Sequence, residues 1–414
     1  MNVEIVTIGT ELLLGFTVDT NGAELGRALA AAGVEVARRT TVADRPDAVR
    51  QAVTEALERT GFVITTGGLG PTRDDLTKRV VAEALGRRLV PDPEVLQRLE
   101  ERFRRLGRWP MPEANRTQAE VPEGATVLPN PRGTAPGLWL EDGRGRTVVM
   151  LPGVPSEMRG LLLEEVLPRL ARRAAGRVVL SRTLRTAGVP ESALAERVGP
   201  VEEQIAPLTL AYLPSLEGVD LRITAWGLEP AEAARRLEAA VELLRPRLGE
   251  HYYGMDGTDL AAVVLDALRR GGHRLAVAES CTGGLVGQRL TAVPGASDVF
   301  VGGLVAYADR VKRDQLGVPA EILETHGAVS EPTVRAMVHG VCRAFDVSCG
   351  IAVTGIAGPT GGTPDKPVGT VWLAAGVGGE LRAVHRVFPG DRQEIRFRSA
   401  QAALDLLRRL AGSG

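Results

Sequence analysis

The chain has 414 residues, of which 44% are hydrophobic and 24% charged, and its formal net charge is -1. This length predicts two or three domains, and the balanced charge excludes a general attraction to nucleic acid or membranes. The three cysteines, Cys281, Cys342 and Cys349, form no CxxC pair, so we expect free thiols in a reducing compartment. The first residues lack an export pattern, and no apolar run approaches about 18 residues. We therefore expect a cytoplasmic protein with no membrane contact.

Residues 1–170 alternate short apolar runs with helical patterns, which predicts an α/β domain. The expected order is strand, helix, strand, helix, strand over Val3–Ile8, Thr20–Ala32, Val34–Thr41, Asp47–Glu58 and Phe62–Thr66. Such a βαβαβ order predicts a parallel sheet covered by helices, with ligands at its carboxyl edge. A basic stretch, Arg169–Arg177, ends this domain.

A glycine-rich run, residues 65–77, follows the third predicted strand and precedes a helix. Its glycines let backbone N–H groups approach an anion, so we expect phosphate binding by Thr66, Gly67, Gly68, Gly70 and Thr72. The run is neither a Walker A loop nor a dinucleotide fingerprint. Because the domain has no histidine or cysteine, any metal must take oxygen ligands. The candidates are Glu11, Asp44, Asp74, Asp75 and Glu157; alternatively, Asp74 and Asp75 only cap the helix.

Five motifs in this domain occur in the order typical of one family. They cover residues 9–15, 19–21, 65–77, 130–137 and 152–158, and together they resemble the molybdopterin-binding-like domain of the CinA competence/damage-inducible family. The resemblance implies a metal-dependent ADP-ribose pyrophosphatase that uses Mg²⁺, Mn²⁺ or Co²⁺, and K⁺ as well, with Asn21 in the substrate site. Molybdopterin binding without hydrolysis is the alternative.

Residues 171–252 predict a small α+β middle domain with the order β, α, β, α. In the CinA family this domain is of the KH type, which normally grips nucleic acid with a GXXG loop. No glycines between 171 and 250 have that spacing, and the nearest pair, Gly254 and Gly257, encloses no positive charge. We therefore expect a spacer or dimer-forming role and no binding of nucleic acid.

The third domain, residues 253–414, begins with a helix and a strand, Arg274–Ala278, that runs into Ser280. A hydroxyl at a strand-to-helix elbow backed by glycines suits acyl transfer, whereas an isolated serine or threonine there is often only a helix cap. Cys281 is the alternative nucleophile. No histidine lies in a triad-like motif, so Lys312, with Tyr307 nearby, is the candidate base.

Six further motifs cover residues 279–284, 302–312, 327–332, 354–359, 366–371 and 390–392. Together they resemble, over about residues 257 to 410, the nicotinamide-mononucleotide deamidase domain of the same family. The resemblance implies that Ser280 is the nucleophile, Lys312 the base, Tyr307 a proton donor or positioner, and Thr354 a polariser of the carbonyl. It also implies a substrate site that includes Thr282, Gly283, Gly355 and Arg392, and a reaction that needs no metal or cofactor. Arg392 would bind the ligand phosphate. Alternatively, Arg392 only forms a salt bridge at the start of a helix.

The whole sequence thus predicts a homodimeric enzyme of pyridine-nucleotide salvage. One domain would convert nicotinamide mononucleotide to nicotinate mononucleotide and ammonia, and the other would convert ADP-ribose to AMP and ribose 5-phosphate. Two alternatives stay open: a deamidase whose first domain only binds a pterin, and an accessory protein of competence and DNA uptake, which the neutral charge and few aromatic residues disfavour.

Overall fold

The computed structural model describes residues 1–171 and 178–412 and divides into two compact units. The first unit comprises Met1–Leu180 and Ala225–Arg235, and the second comprises Ser181–Thr224 and Arg236–Gly414. Residues 172–177, most of the basic stretch predicted to end the first domain, lie outside the described residues.

The first unit contains a six-stranded sheet with the order β2-β1-β3-β8-β7-β6 and a separate pair, β4 and β5. The strands are β1 (Asn2–Ile8), β2 (Glu35–Val42), β3 (Phe62–Thr66), β4 (Leu89–Pro91), β5 (Glu120–Pro122), β6 (Thr126–Leu128), β7 (Gly137–Glu141) and β8 (Thr147–Leu151). The helices are α1 (Thr10–Leu13), α2 (Thr20–Ala31), α3 (Pro46–Thr60), α4 (Thr77–Ala84), α5 (Pro93–Arg105), α6 (Pro155–Leu161) and α7 (Leu167–Ala171).

The predicted parallel sheet is confirmed for β1, β2, β3 and β8, which pair in parallel. Its two faces are both buried, because alternate residues of β1 join different cores: Val3 and Ile5 on one face, Val6 and Ile8 on the other. Strands β7 and β6 extend the sheet in antiparallel pairing and were not predicted. The loops after β1, β3 and β8 therefore meet at one edge.

The middle segment has the strands β9 (Val178–Thr186), β10 (Thr209–Pro214), β11 (Val219–Leu228) and β12 (Tyr252–Met255), and the helices α8 (Glu191–Glu202) and α9 (Pro230–Leu248). The α+β class is confirmed, but the predicted order β, α, β, α is wrong. A tight turn, closed by the Ser215 amide on the Gly218 carbonyl, makes a hairpin of β10 and β11. Strand β12 pairs with β9 and crosses the predicted boundary at 252.

The last segment has a five-stranded sheet with the order β14-β13-β15-β16-β17. Its strands are β13 (Leu275–Glu279), β14 (Phe300–Val305), β15 (Cys349–Gly355), β16 (Thr370–Val377) and β17 (Glu380–Val387), and its helices are α10 (Leu260–Arg270), α11 (Leu285–Thr291), α12 (Asp309–Leu316), α13 (Ala320–His326), α14 (Glu331–Phe345) and α15 (Arg392–Ala411).

Alternate residues of β13 supply two cores, one shared with α10, α11 and α15 and the other with α12 and α14. This is the α/β class predicted for the domain. Strands β13, β14 and β15 are parallel, so the residues that follow them gather at one edge of the sheet.

Candidate active site

A cavity of about 170 Å³ lies at the carboxyl ends of β13, β14 and β15. Ser280 directly follows β13, Tyr307 and Lys312 follow β14, and Thr354 and Gly355 end β15. The structure thus brings together six of the residues predicted for the deamidase site. The lining residues are Ser280, Cys281, Tyr307, Asp309, Lys312, Ala328, Val329, Thr354, Gly355, Ala357 and Arg392.

The hydroxyl of Ser280 is not used to cap helix α11. That helix begins after Gly284, and the amides of Gly284, Val286 and Gly287 donate to the carboxylate of Glu279 at 3.0, 3.0 and 2.8 Å. Glu279 is itself buried, so its charge is held by these N–H groups and by the positive end of the helix. The alternative that Ser280 or Thr282 is an ordinary helix cap is therefore wrong, and the Ser280 hydroxyl is available for chemistry.

We expect Glu279→Gln to lower the free energy of unfolding by about 2–4 kcal/mol. The amide has one acceptor oxygen in place of two, and its NH₂ group faces backbone donors, so at least one buried N–H loses its partner. Urea unfolding of the full chain, followed by circular dichroism, measures the effect. Glu324→Gln, an exposed glutamate of α13, is the matched control, and equal effects of the two substitutions would contradict this role for Glu279.

Lys312 is almost fully buried, with 1% of its side chain exposed. Its amine donates to the carbonyl of Tyr307 and to the carboxylate of Asp309, each at 3.1 Å. It makes no hydrogen bond to the Ser280 hydroxyl in this structure, although both side chains line the same cavity. The Lys312 amine is therefore shielded from water at the cavity, where the Asp309 carboxylate and the Tyr307 carbonyl hold it.

Burial makes Cys281 a poor nucleophile. The thiol lies beside Ser280 but is 5% exposed, and removal from water raises the pKa of Cys281 to about 12. Because the thiolate is the reactive form of cysteine, this environment favours Ser280 of the two neighbours.

Arg392 and Tyr307 stand together at the cavity. The guanidinium donates to the Tyr307 hydroxyl at 2.9 Å and to the Gly358 carbonyl, while Tyr307 is 60% exposed. Among the residues that the structure describes, Arg392 has no carboxylate partner, so the alternative of a helix-start salt bridge is wrong. Its charge remains available to an anionic ligand.

Thr354 is buried at the end of β15, and its hydroxyl donates to the Ala328 carbonyl at 2.8 Å. Lys366 also binds the loop that contains Ala328, because its amine donates to the carbonyls of His326 and Val329 at 3.0 and 2.9 Å. Since the Thr354 proton is committed to Ala328, the side chain can offer a bound ligand only its lone pairs in this arrangement.

Thr282 and Gly283, both predicted in the substrate site, are not among the residues that line the cavity. Thr282 is fully buried, its hydroxyl has no hydrogen-bond partner in the described part of the chain, and its carbonyl accepts from Arg396 at 2.8 Å. Gly283 has a φ of 60° in the turn that leads to α11. These two residues shape the turn behind Ser280.

Three contributors to this site were not predicted: Glu279, Asp309 and the Ala328 carbonyl. Glu279 adjoins Ser280, and Asp309 lies between Tyr307 and Lys312, so their positions in the sequence are a partial signal for both. No sequence pattern indicates the backbone carbonyl of Ala328.

The glycine loop of the first unit lies at the edge of its parallel sheet, as predicted. Gly67 has a φ of 109°, and a Cβ there would lie 2.2 Å from the Ile8 carbonyl oxygen, so only glycine fits. Asn21 donates to the Thr66 hydroxyl at 3.0 Å and to the Gly153 carbonyl at 2.8 Å, and its own amide oxygen has no hydrogen-bond partner among residues 1–171 and 178–412. The structure therefore joins Asn21 and Thr66 to the loops after β3 and β8.

The five predicted metal ligands do not assemble. Within residues 1–171 and 178–412 no three histidine, cysteine or carboxylate side chains come together in a way that could hold a metal. Three of the five carboxylates accept hydrogen bonds from neighbours: Asp44 from Thr10, Asp75 from Thr72 and Glu157 from Asn130. The donor set present therefore does not fit a preformed metal centre, and we derive no step through one.

Local contacts set the titration of two of these groups. The Thr72 hydroxyl holds the pKa of Asp74 below its usual range, and burial raises the pKa of Glu157. Neither Asp74 nor Asp75 caps helix α4, because the capping residue is Leu76 and makes no side-chain hydrogen bond, so that alternative is also wrong. Gly70 and Thr72 belong to the same turn, where a Cβ on Gly70 would lie 2.5 Å from an Asp75 oxygen.

Three family descriptions match consecutive parts of the chain. They are a probable molybdopterin binding domain over 4–172, a damage-inducible protein CinA KH domain over 181–254, and a CinA C-terminal domain over 257–411. A CinA-like protein of Gemmatimonas aurantiaca is 55% identical over 411 residues, which cover 99% of this chain and 96% of that one.

The chain belongs to the CinA family. Another CinA-like protein, from Salinibacter ruber, is 44% identical and covers 99% of both chains. A crystal structure of a competence-damaged protein (CinA) superfamily protein from Klebsiella pneumoniae is 35% identical and covers 37% of this chain and 97% of that one, with a TM-score of 0.37.

The membership confirms the resemblance found in the sequence and the three-part organisation into a molybdopterin-binding-like, a KH-type and a CinA C-terminal domain. In the described part of this CinA-family chain, no helix combines the length and the hydropathy that crossing a bilayer requires.

Proposed function

We propose that the CinA C-terminal domain hydrolyses the carboxamide of nicotinamide mononucleotide to give nicotinate mononucleotide and ammonia. One observation carries the proposal: a serine hydroxyl without a hydrogen-bond partner in the described structure and a buried lysine amine line the same small cavity. No aspartate–histidine pair is among the residues that line this cavity, and we assign the transfer of the serine proton to the buried amine of Lys312.

The proposed reaction has two halves. The Ser280 oxygen attacks the carboxamide carbon, and its proton passes through Lys312 to the nitrogen, which leaves as ammonia. Water then attacks the resulting ester and gives nicotinate mononucleotide and free Ser280. The lysine must turn from Asp309 toward Ser280 in the substrate complex, as catalytic hydrogen bonds often tighten only when substrate is bound.

The backbone N–H beside the nucleophile supplies the stabilisation of the oxyanion in this proposal. Cys281 lines the cavity, and its N–H donates to no oxygen among the described residues, although it lies against its own sulfur; the N–H groups at the start of α11 are taken by Glu279. A backbone N–H next to a nucleophile is a usual donor to a tetrahedral intermediate. Thr354 would then act by positioning the Ala328 loop.

The size of the cavity limits which part of the substrate can lie inside it. At about 170 Å³ the cavity is smaller than the roughly 300–1,000 Å³ of typical ligand pockets, so it suits the nicotinamide ring alone. The ribose phosphate would extend past Tyr307 toward Arg392, whose forked guanidinium suits a phosphate.

We expect Arg392→Gln to raise the KM for nicotinamide mononucleotide by about tenfold or more, since a charge-assisted hydrogen bond is lost. The KM for nicotinamide riboside, which lacks the phosphate, should change much less. Ammonia release with both substrates measures the difference, and Arg310→Gln, an exposed arginine near the site, is the control. An equal rise in KM for both substrates would contradict a contact between Arg392 and the phosphate.

For the first unit we propose binding of a phosphate ester at the glycine loop, with ADP-ribose hydrolysis to AMP and ribose 5-phosphate as its activity. The supporting observation is the contact of Asn21 with Thr66 at the sheet edge, where the Asn21 amide oxygen accepts no hydrogen bond from any residue that the structure describes. Incubation of the full chain with ADP-ribose and Mg²⁺, Mn²⁺ or Co²⁺, with and without K⁺, tests it. AMP formed only with a divalent ion supports hydrolysis; no AMP with any ion favours the pterin-binding alternative.

A further inference from the structure

A second cavity, of about 640 Å³, lies within the second unit. On one side are two loops of the KH-type segment, residues 187–191 and 214–219, and on the other are strand β17 and helix α15. The deamidase proposal uses none of these residues. The volume of this second cavity lies within the range of pockets that bind small molecules.

Arg398 lines this cavity and has an unusual environment. Its Nε atom is buried and has no hydrogen-bond partner, and its side chain forms no ion pair within the described residues. Buried N–H groups are normally hydrogen-bonded, because an unpartnered N–H next to a positive charge is costly. An arginine left in this state beside a cavity is therefore a candidate to receive an anion.

A second arginine, Arg386, has no carboxylate partner either, and its only recorded hydrogen bond in the described structure is to the His385 carbonyl. By contrast, the carboxylates of the cavity are mostly neutralised: Glu217 by Arg185, Glu250 by Arg409, and Asp405 by Arg408 and Arg409. Glu191 is the exception, an exposed residue in the first turn of α8. Among the described residues, two guanidinium groups of the lining, Arg386 and Arg398, and one carboxylate, Glu191, thus have no ion-pair partner.

The rest of the lining is largely apolar. Val384 lies between Arg382 and Arg386 on the same face of β17, because alternate residues of a strand share a face. Leu373 and Phe388 line the cavity from the sheet side, and Leu406 lines it from α15, together with the polar Gln401. This lining combines an apolar wall for a ring, a polar group for hydroxyls and two guanidinium groups for an anion.

We propose that this cavity is a binding site for a phosphate-bearing mononucleotide, separate from the catalytic cavity. The forked guanidinium groups of Arg386 and Arg398 bind the phosphate, and the base lies against the wall formed by Val384, Phe388 and Leu406. The site rests on this geometry alone and stands whether or not the deamidase proposal holds.

The test is calorimetric titration of the full chain with AMP, and with adenosine and inorganic phosphate as separate probes. Arg398→Gln and Arg386→Gln should each weaken one AMP-binding event by about tenfold or more. Arg269→Gln is the matched control, because Arg269 lies on α10 and is paired with Asp266 and Asp298. Its AMP affinity should equal that of the wild type.

Arg398→Gln should also leave the ligand-free melting temperature unchanged or higher, since it removes an unpartnered buried group, and this shows that the variant folds. Three results would overturn the proposal: no AMP binding by the wild type, wild-type affinity in both cavity variants, or inorganic phosphate bound as tightly as AMP.

Discussion

Ser280→Ala is expected to reduce ammonia release from nicotinamide mononucleotide by about 1,000-fold or more, because it removes the atom that forms the acyl-enzyme. The substitution deletes one hydroxyl that makes no hydrogen bond within the described structure, so the fold should be unaffected. Steady-state assays of ammonia, with the melting temperature of each variant measured alongside, separate the loss of chemistry from unfolding.

Cys281→Ala is the matched control, since Cys281 adjoins Ser280 and also lines the cavity, but its raised pKa keeps the thiol protonated. We expect it to retain most of the activity. Loss of activity in Cys281→Ala with retention in Ser280→Ala would preserve the reaction but assign the nucleophile to the thiol.

Lys312→Met is expected to lower kcat by about 100- to 10,000-fold, the usual contribution of a general base. Methionine fills a similar volume in this buried position without an amine, and it breaks the hydrogen bonds to Tyr307 and Asp309. The same assay measures the effect.

Arg313→Met is the control for that substitution, because Arg313 is the next residue of α12 and is exposed in an ion pair with Asp314. Its kcat should stay near that of the wild type. If Lys312→Met kept more than about a tenth of the wild-type kcat, the loss would be smaller than a general base accounts for. Lys312 would then be a structural residue.

The positions of the main catalytic candidates could be predicted because they depend on local pattern and on topology. An apolar run that ends at Ser280 indicates a strand, and glycines behind it indicate a turn. The strands before Tyr307 and Thr354 could be recognised in the same way. Once these strands are parallel, their carboxyl ends must meet, so residues more than 70 positions apart become neighbours.

Which partners the side chains take could not be predicted from the sequence. The Glu279 carboxylate takes the amides at the start of α11, which a sequence pattern assigns more readily to a serine or threonine. Carboxylates such as Asp44 and Asp75 were predicted as metal ligands from their residue type. In the structure they accept hydrogen bonds from nearby threonines, a choice set by the local backbone.

The strand order of the middle segment could not be predicted for a different reason. The predicted order β, α, β, α has one strand between its helices, where the structure has the hairpin of β10 and β11 joined by the turn at Ser215–Gly218. Strand β12 is four residues long, and only its pairing with β9 identifies it as part of that sheet. Pairing between distant segments is not encoded in local periodicity.

The most direct test of the proposed deamidase is to incubate the wild-type protein with nicotinamide mononucleotide in water enriched in oxygen-18. The account predicts ammonia and nicotinate mononucleotide in equal amounts, with one heavy oxygen in each new carboxylate, because water resolves the serine ester. No ammonia, or ammonia without nicotinate mononucleotide, would contradict it.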